Sequence, residues 1–470
     1  MVRNVSILFF VAVPVSLVLL SVTSVASYAA PAQTKDSPFV RADSRSRLLQ
    51  KIELGDYGSK YARIGDLDGD GILDILFAQT RRPQEITCLT AIDRNGKILW
   101  QQGKPDIKNI FFTCDFPLQI HDWNRDGKNE IVYMPDAKNV LTILDGKTGK
   151  LIKQKKLEGG HDSLLFADFS GNGYAQDILI KDRYKNFWVY DKNLNLLWSK
   201  QNCNPGHYPM EYDFDGDGKD ELLCGFTLYD DDGTVIWDAD PRIPGHCDAV
   251  YIDDMDRDGH AEIALATCNG ADAFLLDAEG NTLFRKPTRH SQHAVIGKFR
   301  QDLPGKQVWF VDRGTVRNSS SGSYLYLYTK DGEELFCDKK ANIWVTASVV
   351  IDHWVEDSNQ DFLGLYSRGW EPPGIWDGKG REIATFPLPE AILEKGAAPG
   401  GRDLYDDYYV QHIDCWGDAR EEIICYNHKA VYIWTNGAPT NLPDTNAGWK
   451  PTLKKLPARL YNTNFYPGRL

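Results

Sequence analysis

A short acidic loop recurs along this chain, and its spacing constrains the fold more than any other feature. Asp66–Asp74 reads DLDGDGILD, Asp122–Glu130 reads DWNRDGKNE, Asp213–Glu221 reads DFDGDGKDE and Asp254–Glu262 reads DMDRDGHAE. Asp168–Asp177 (DFSGNGYAQD) carries one extra residue; DHWVEDSNQD from Asp352 and DCWGDAREE from Asp414 are worn copies. Successive starts from Asp66 to Asp254 lie 41 to 56 residues apart, whereas 98 residues separate Asp254 from Asp352. The long gap has room for two repeats. A hidden copy is therefore expected at Gly297–Gln307 (GKFRQDLPGKQ), without the acidic pattern. That gives eight units, or seven if this stretch is only a loop.

Each unit repeats one grammar. An apolar stretch such as Ala249–Ile252 enters the loop, and another, such as Ile263–Leu265, leaves it. Further on, a Gly-containing turn separates two more strands, as at Asp93–Gly96 before Leu99 and Trp100, or Asp232–Gly233 before Ile236 and Trp237. These are hairpin signals, and no useful length of helical periodicity accompanies them. Four short strands per ~40–60 residues describe a propeller blade. The expected fold is an all-β, eight-bladed β-propeller over residues 48–470 with FG-GAP-like loops. The strand Leu48–Leu54 would complete the last blade and close the ring.

The loops have the ligand spacing of calcium sites. Calcium takes six to eight oxygens; side-chain oxygens at positions 1, 3 and 5, a Gly at position 6 and a carboxylate at position 9 supply them. The candidate ligands are Asp66, Asp68, Asp70 and Asp74; Asp122, Asn124, Asp126 and Glu130; Asp168, Asn172 and Asp177; Asp213, Asp215, Asp217 and Glu221; and Asp254, Asp256, Asp258 and Glu262. Carboxylates this close repel one another without a cation. Solvated acidic turns are the plain alternative, and an EF-hand is excluded because it needs flanking helices. Trp354 and Trp416 replace the third ligand in the last two copies, so no metal is expected there.

The N-terminus reads as an export signal. Arg3, an apolar run from Val5 to Val22 and the small residues Ser27 and Ala29 mark a signal peptide over residues 1–29, followed by a linker over 30–47. The expected location is secreted or periplasmic, or membrane-anchored if the signal stays uncleaved. No later stretch is apolar enough to span a bilayer. A net charge of −13 argues against a nucleic-acid partner. The nine cysteines cannot all pair with one another; Cys415 and Cys425, and Cys247 and Cys268, each flank a short turn and could pair, with buried free thiols as the alternative, and the connectivity stays open. A monomer is expected.

Topology narrows where chemistry can occur. The acidic loop follows the inner strand of each blade, so residues before that strand lie on the opposite face, around the central opening. His161, His207, His246, His290, His293 and His412 stand near such positions. Loops between second and third strands return to the same face. They carry Lys181, Asp182, Arg183 and Tyr184, and also Arg81, Arg82, Arg313 and Arg368. A mouth of His, Tyr and Arg on an acidic protein suits a small anionic group such as a uronate carboxylate. Each His has a structural alternative, and each Arg could serve only in a surface ion pair.

Several segments resemble a known family. KDRYKNFWVYD (Lys181–Asp191), GHYPMEYDFDGDGKDE (Gly206–Glu221), GHCDAV (Gly245–Val250) and WGDAREEIICYN (Trp416–Asn427) are similar to the rhamnogalacturonan lyases of polysaccharide-lyase family eleven. They also resemble propeller lyases acting on ulvan or on rhamnose–glucuronate, which are often seven-bladed. The resemblance covers most of residues 50–440. It implies a calcium-bound propeller that cleaves a uronate-containing, rhamnose-containing polysaccharide or oligosaccharide by β-elimination.

Such a lyase removes the proton α to the carboxylate and expels the oxygen at C4. It needs a base, an acid and a cation to neutralise the carboxylate. His207 is the expected base, with His161 next; Tyr184 or Tyr208 is the acid; Arg183 is the neutralising cation. His246, His293, Arg313, Arg368 and His412 are expected to bind substrate. Two rivals remain: a non-catalytic propeller for carbohydrate or protein adhesion, and a glycoside hydrolase using Asp162 and Asp248.

Overall fold

The computed structural model describes residues 46–438, apart from 82–84, 110–115, 208, 269–271, 314–322, 341–346, 352–353, 356–359, 367–372, 388–408 and 417–419. The signal and linker expected before residue 46 lie outside the described residues, as do Tyr208, Arg368 and the start of the Asp352 loop. Among the described residues no helix is long and apolar enough to cross a membrane.

Among the described residues, thirty-two strands form eight four-stranded antiparallel sheets. In blades 1 to 7 the strands follow in chain order from the inner edge outwards. Blade 1 begins at Ala62–Gly65, blade 2 at Leu118–His121, blade 3 at Ser163–Ala167 and blade 4 at Met210–Tyr212. Blade 5 begins at Cys247–Asp253, blade 6 at Ser291–Gly297 and blade 7 at Ala347–Ile351. Blade 8 contributes Tyr409–Ile413, Glu422–Tyr426 and Ala430–Asn436, and its fourth strand is the N-terminal Ser46–Glu53. The ring thus closes through its first strand, which starts two residues before the expected Leu48. The stretch Gly297–Gln307 is the first loop of a complete blade, so the count is eight.

The inner strands are joined to one another by side chains that reach neighbouring backbone. Gln411 donates to the carbonyl of Ala62, Arg63 to that of Leu118, and Gln119 to that of Leu164. These bonds link blade 8 to 1, 1 to 2 and 2 to 3. Arg63 is fully buried, and the carbonyl spares its charge an unsolvated position.

The outer parts are joined by the repeated turn. Trp100, Trp198 and Trp237, on the outermost strands of blades 1, 3 and 4, each donate the indole N–H to a carbonyl in the hairpin turn of the next blade. The turn must present no side chain there. At Gly233 (φ +85°) a Cβ would come within 2.7 Å of the Trp198 ring, and Gly280 meets Trp237 in the same way. The Gly-turn and Trp signals in the sequence are two halves of one inter-blade contact. The third and fourth strands of blades 1 to 7 also share a register shift beside this turn, which adds twist.

Candidate active site

The residues before the inner strands of blades 3 to 6 come together at one end of those blades. Backbone bonds fix each approach. The amides of His161 and Asp162 donate to the carbonyl of Lys181, and the amide of His207 donates to that of Cys247 in the next blade. Asp312, ending the second strand of blade 6, accepts from the amides of Arg289 and His290.

Asp248 is the hub. It is 2% exposed, and its carboxylate faces three imidazoles. Nε2 of His246 lies 3.1 Å from Oδ1 and that of His207 lies 3.5 Å from it, while Nε2 of His290 lies 2.7 Å from Oδ2. Gln292 also donates to Oδ2. Burial alone would raise this carboxyl. Hydrogen bonds from His246 and His290 hold it well below the usual carboxylate range. Burial works against charging His246, but the Asp248 carboxylate and the Cys268 sulfur outweigh it and lift the imidazole to about 9. The Cys268 sulfur lies 3.0 Å from Nδ1 of His246. At neutral pH the site therefore holds an ionised carboxylate and a protonated imidazole.

Tyr184 crosses from blade 3 onto this group. Its hydroxyl lies 3.1 Å from Nε2 of His207, and its ring meets His246 at a centroid distance of 4.7 Å. The Tyr184 side chain is 40% exposed, so the proton relay it can form opens to solvent. Next to it, Asp162 binds Lys181 at 2.8 Å and Arg183 at 2.9 Å. The ammonium of Lys181 is fully buried, whereas Arg183 keeps about a third of its side chain exposed. Arg313 reaches 3.0 Å from Nε2 of His290. Arg183, Tyr184, His207, His246 and Arg313 are thus brought to one region. His161 is half-buried beside Lys181.

Two expected substrate contacts lie elsewhere. His412 sits near the far end of the inner strand of blade 8, with Nδ1 3.1 Å from Glu421 beside the acidic loop. It is on the strand, not before it: residues 409–416 are all buried, so the segment shows no periodicity that would mark where the strand begins. His293 is fully buried inside the inner strand of blade 6, where Nδ1 accepts from the amide of Ser348 in blade 7. Conversely, the sequence offers Asp248 only to a rival hydrolase, Cys268 only as a candidate disulfide partner of Cys247, and Gln292 no role. The one signal for Asp248 is a His shortly before it at the start of an inner strand, as His161 stands before Asp162.

At the opposite ends of the blades, the acidic loops fold on themselves. Asp66 accepts from the amides of Gly69, Asp70 and Gly71, and Asp74 accepts from those of Leu67 and Asp68. Asp66, Asp68 and Asp70 bring one carboxylate oxygen each within 4.8 Å of one another, as do Asp213, Asp215 and Glu221, and Asp254, Asp256 and Glu262. Asp217 and Asp258 instead accept from the amides of Lys219 and His260. The donor sets fit a hard cation. Two further oxygens support this: Oδ1 of Asp122 and Oδ1 of Asp177 are buried with no hydrogen-bond partner among the described residues. Burial, with help from neighbouring loop carboxylates, pushes Asp74, Glu130 and Glu221 up to about 7.

Two lysines modify this pattern. The ammonium of Lys330, from blade 6, lies 2.7 Å from both Asp256 and Glu262. In blade 6 itself, Lys298 stands at position 1 of the loop and donates to the carbonyls of Leu303 and Gly305. This internal cation explains why that repeat dispenses with acidic residues. No disulfide joins the described cysteines; Cys247 and Cys268 are separate thiols.

The sequence signature of the rhamnogalacturonan lyase family 11 C-terminal domain matches residues 157–450, which include every mouth residue above. The chain belongs to this family. It is a polysaccharide lyase. Rhamnogalacturonan exolyase YesX of Bacillus subtilis strain 168 is 22% identical over 81% of this chain and 71% of its own length. Rhamnogalacturonan endolyase YesW of the same organism is 22% identical over 44% of this chain and 43% of its own length. Among solved structures, YesX superposes with a TM-score of 0.60 at 20% identity, covering 83% of this chain and 76% of YesX. The Bacillus licheniformis family 11 lyase gives 0.58 at 20% identity, covering 90% and 82%. The Vibrio cholerae biofilm matrix protein Bap1 gives 0.59 at 14% identity, covering 91% and 100%. At such identities the structural likeness speaks to the fold alone.

Proposed function

We propose that this family 11 lyase is an exported, calcium-stabilised monomer that cleaves a rhamnogalacturonan-type polysaccharide at its uronate residues by β-elimination. His207 takes the proton α to the uronate carboxylate, the C4–O bond breaks as the C4–C5 double bond forms, and Tyr184 protonates the departing oxygen. Arg183, with the charged His246, neutralises the carboxylate while negative charge builds on it. The observation that carries this reading is the 3.1 Å contact between Tyr184 and His207. It joins an acid and a base of suitable type beside cationic groups at a partly open mouth. The relatives' names support the substrate class, and the signal-like pattern of residues 1–29 in the sequence supports export.

The hydrolase reading is weaker on chemical grounds. A hydrolase needs one carboxyl kept protonated as general acid. Asp248 is held ionised by imidazoles, and both oxygens of Asp162 are taken up by ion pairs with Lys181 and Arg183. Incubation with rhamnogalacturonan separates the two. The lyase generates ultraviolet absorbance from an unsaturated uronate. Reducing ends released without that absorbance would reject elimination.

A further inference from the structure

The His207–His246–Asp248 group has a donor set unlike that of the acidic loops. One ring nitrogen of His207, one of His246 and one carboxylate oxygen of Asp248 lie within 4.8 Å of one another, and the Nε2 atoms of both imidazoles face the same Asp248 oxygen. Two imidazole nitrogens and one carboxylate oxygen suit zinc, or a metal like it, whereas calcium wants oxygen alone. The spacing fits as well. Ligand bonds of about 2.0–2.1 Å in a tetrahedron place the donors roughly 3.3 Å apart; the Asp248 oxygen lies 3.1 Å from His246 and 3.5 Å from His207.

The surroundings are built in the manner of a metal site. Metal-bound imidazoles commonly have the second ring nitrogen fixed by a partner, and bound carboxylates have the free oxygen hydrogen-bonded. Here Nδ1 of His246 is held by the Cys268 sulfur, and Oδ2 of Asp248 by His290 and Gln292. Three protein ligands leave a fourth position, as in zinc sites that take water or substrate.

We propose that His207, His246 and Asp248 form a binding site for one divalent cation of the zinc class, and that this ion excludes His207 from proton transfer. The second half rests on the reading of His207 as the base. Zinc takes the place of the proton that His246 otherwise carries, releasing it to solvent; at His207 a metal bond to the ring nitrogen uses the lone pair that would accept the substrate proton, so bound zinc switches the lyase off reversibly. The metal half stands on the donor geometry alone.

The test uses the full chain with calcium present, freed of transition metals by a zinc-selective chelator. Titration with zinc, read by elemental analysis after desalting, is expected to show one zinc per chain. Titration with cobalt(II) is expected to give visible absorption of a four-coordinate site. His246→Gln, at a partly exposed position that spares the fold, should weaken zinc binding by about tenfold or more. Asp248→Asn should do the same, and Tyr184→Phe should bind zinc as the parent does. Turnover should fall in proportion to occupancy and return on chelation. Absence of zinc binding, or binding indifferent to His246→Gln, overturns the site. Full turnover at full occupancy overturns the exclusion. A zinc-free protein with no lyase activity would instead fail the functional reading, while the zinc and cobalt titrations still decide the site.

Discussion

The hydroxyl of Tyr184 lies 3.1 Å from Nε2 of His207, although the two side chains come from different blades. Tyr184 occupies the loop after Asp177–Lys181 in blade 3, and His207 the approach to Met210–Tyr212 in blade 4. A propeller makes this meeting inevitable, because those two segments of adjacent blades emerge on one face. The Asp248 carboxylate, from blade 5, then fixes the imidazoles from behind. Three blades therefore share one proton-handling unit, and none of them holds it alone.

That unit predicts the first outcome. His207→Ala removes the base, and Tyr184→Phe removes only the hydroxyl. Loss of a general base or acid costs about 10²–10⁴ in rate. Both variants should keep the melting temperature of the parent within a few degrees and lose turnover by that factor. Wild-type turnover in His207→Ala would remove this residue from the chemistry.

Asp162 and Arg183 should separate stability from activity. Lys181 is fully buried against Asp162, so Asp162→Ala leaves an ammonium without its counter-charge. Breaking a buried pair from one side costs about 3–5 kcal/mol, which denaturant unfolding would register. Arg183→Ala leaves the Lys181–Asp162 pair intact. It should cost little stability and raise KM for uronate substrates. A large unfolding shift for Arg183→Ala with unaltered KM would contradict its placement at the carboxylate.

Chelation should destabilise the protein more at high pH than at low pH. Without a cation, Asp74, Glu130 and Glu221 titrate at about 7 in the folded chain, against roughly 4 when unfolded. Between those values the folded state binds more protons than the unfolded state. Metal-free stability therefore falls as pH rises through that window. Calcium replaces the protons and stabilises by mass action. The drop in melting temperature on chelation should be small near pH 5 and largest near pH 8. Identical melting curves at pH 8 with and without chelator would reject the calcium sites.

The blade order was legible because ring closure and loop spacing are periodic, and period survives substitution. The closing strand near Leu48 and the eighth unit at Gly297–Gln307 both followed from spacing. The meeting of Arg183, Tyr184 and His207 was legible from topology, since it needs only to know which loops share a face. What stayed hidden depends on side-chain direction. His412 and His207 look alike in sequence, yet one lies within a strand and the other before it. Asp248 reads as one acid among many until three blades place imidazoles around it. The two lysines were missed because a cation supplied by the protein leaves no acidic signature.

Lys298 offers the last test. Its ammonium donates to the carbonyls of Leu303 and Gly305 in the loop of blade 6, where other blades present an Asp at position 1. The two carbonyls are partly buried, and hydrogen bonds to charged groups contribute at most about 1.5–3 kcal/mol. Lys298→Ala should lower stability by up to about that amount, less what water at the partly exposed carbonyls recovers. Because the missing cation was the protein's own, the loss should be the same in saturating calcium and in chelator. The parallel substitution Asp213→Ala should behave oppositely, costing stability in calcium and little once the ion has been removed. Paired melting curves of the two variants, each with and without chelator, measure the difference directly. If calcium abolished the cost of Lys298→Ala, the lysine would not be standing in for a metal.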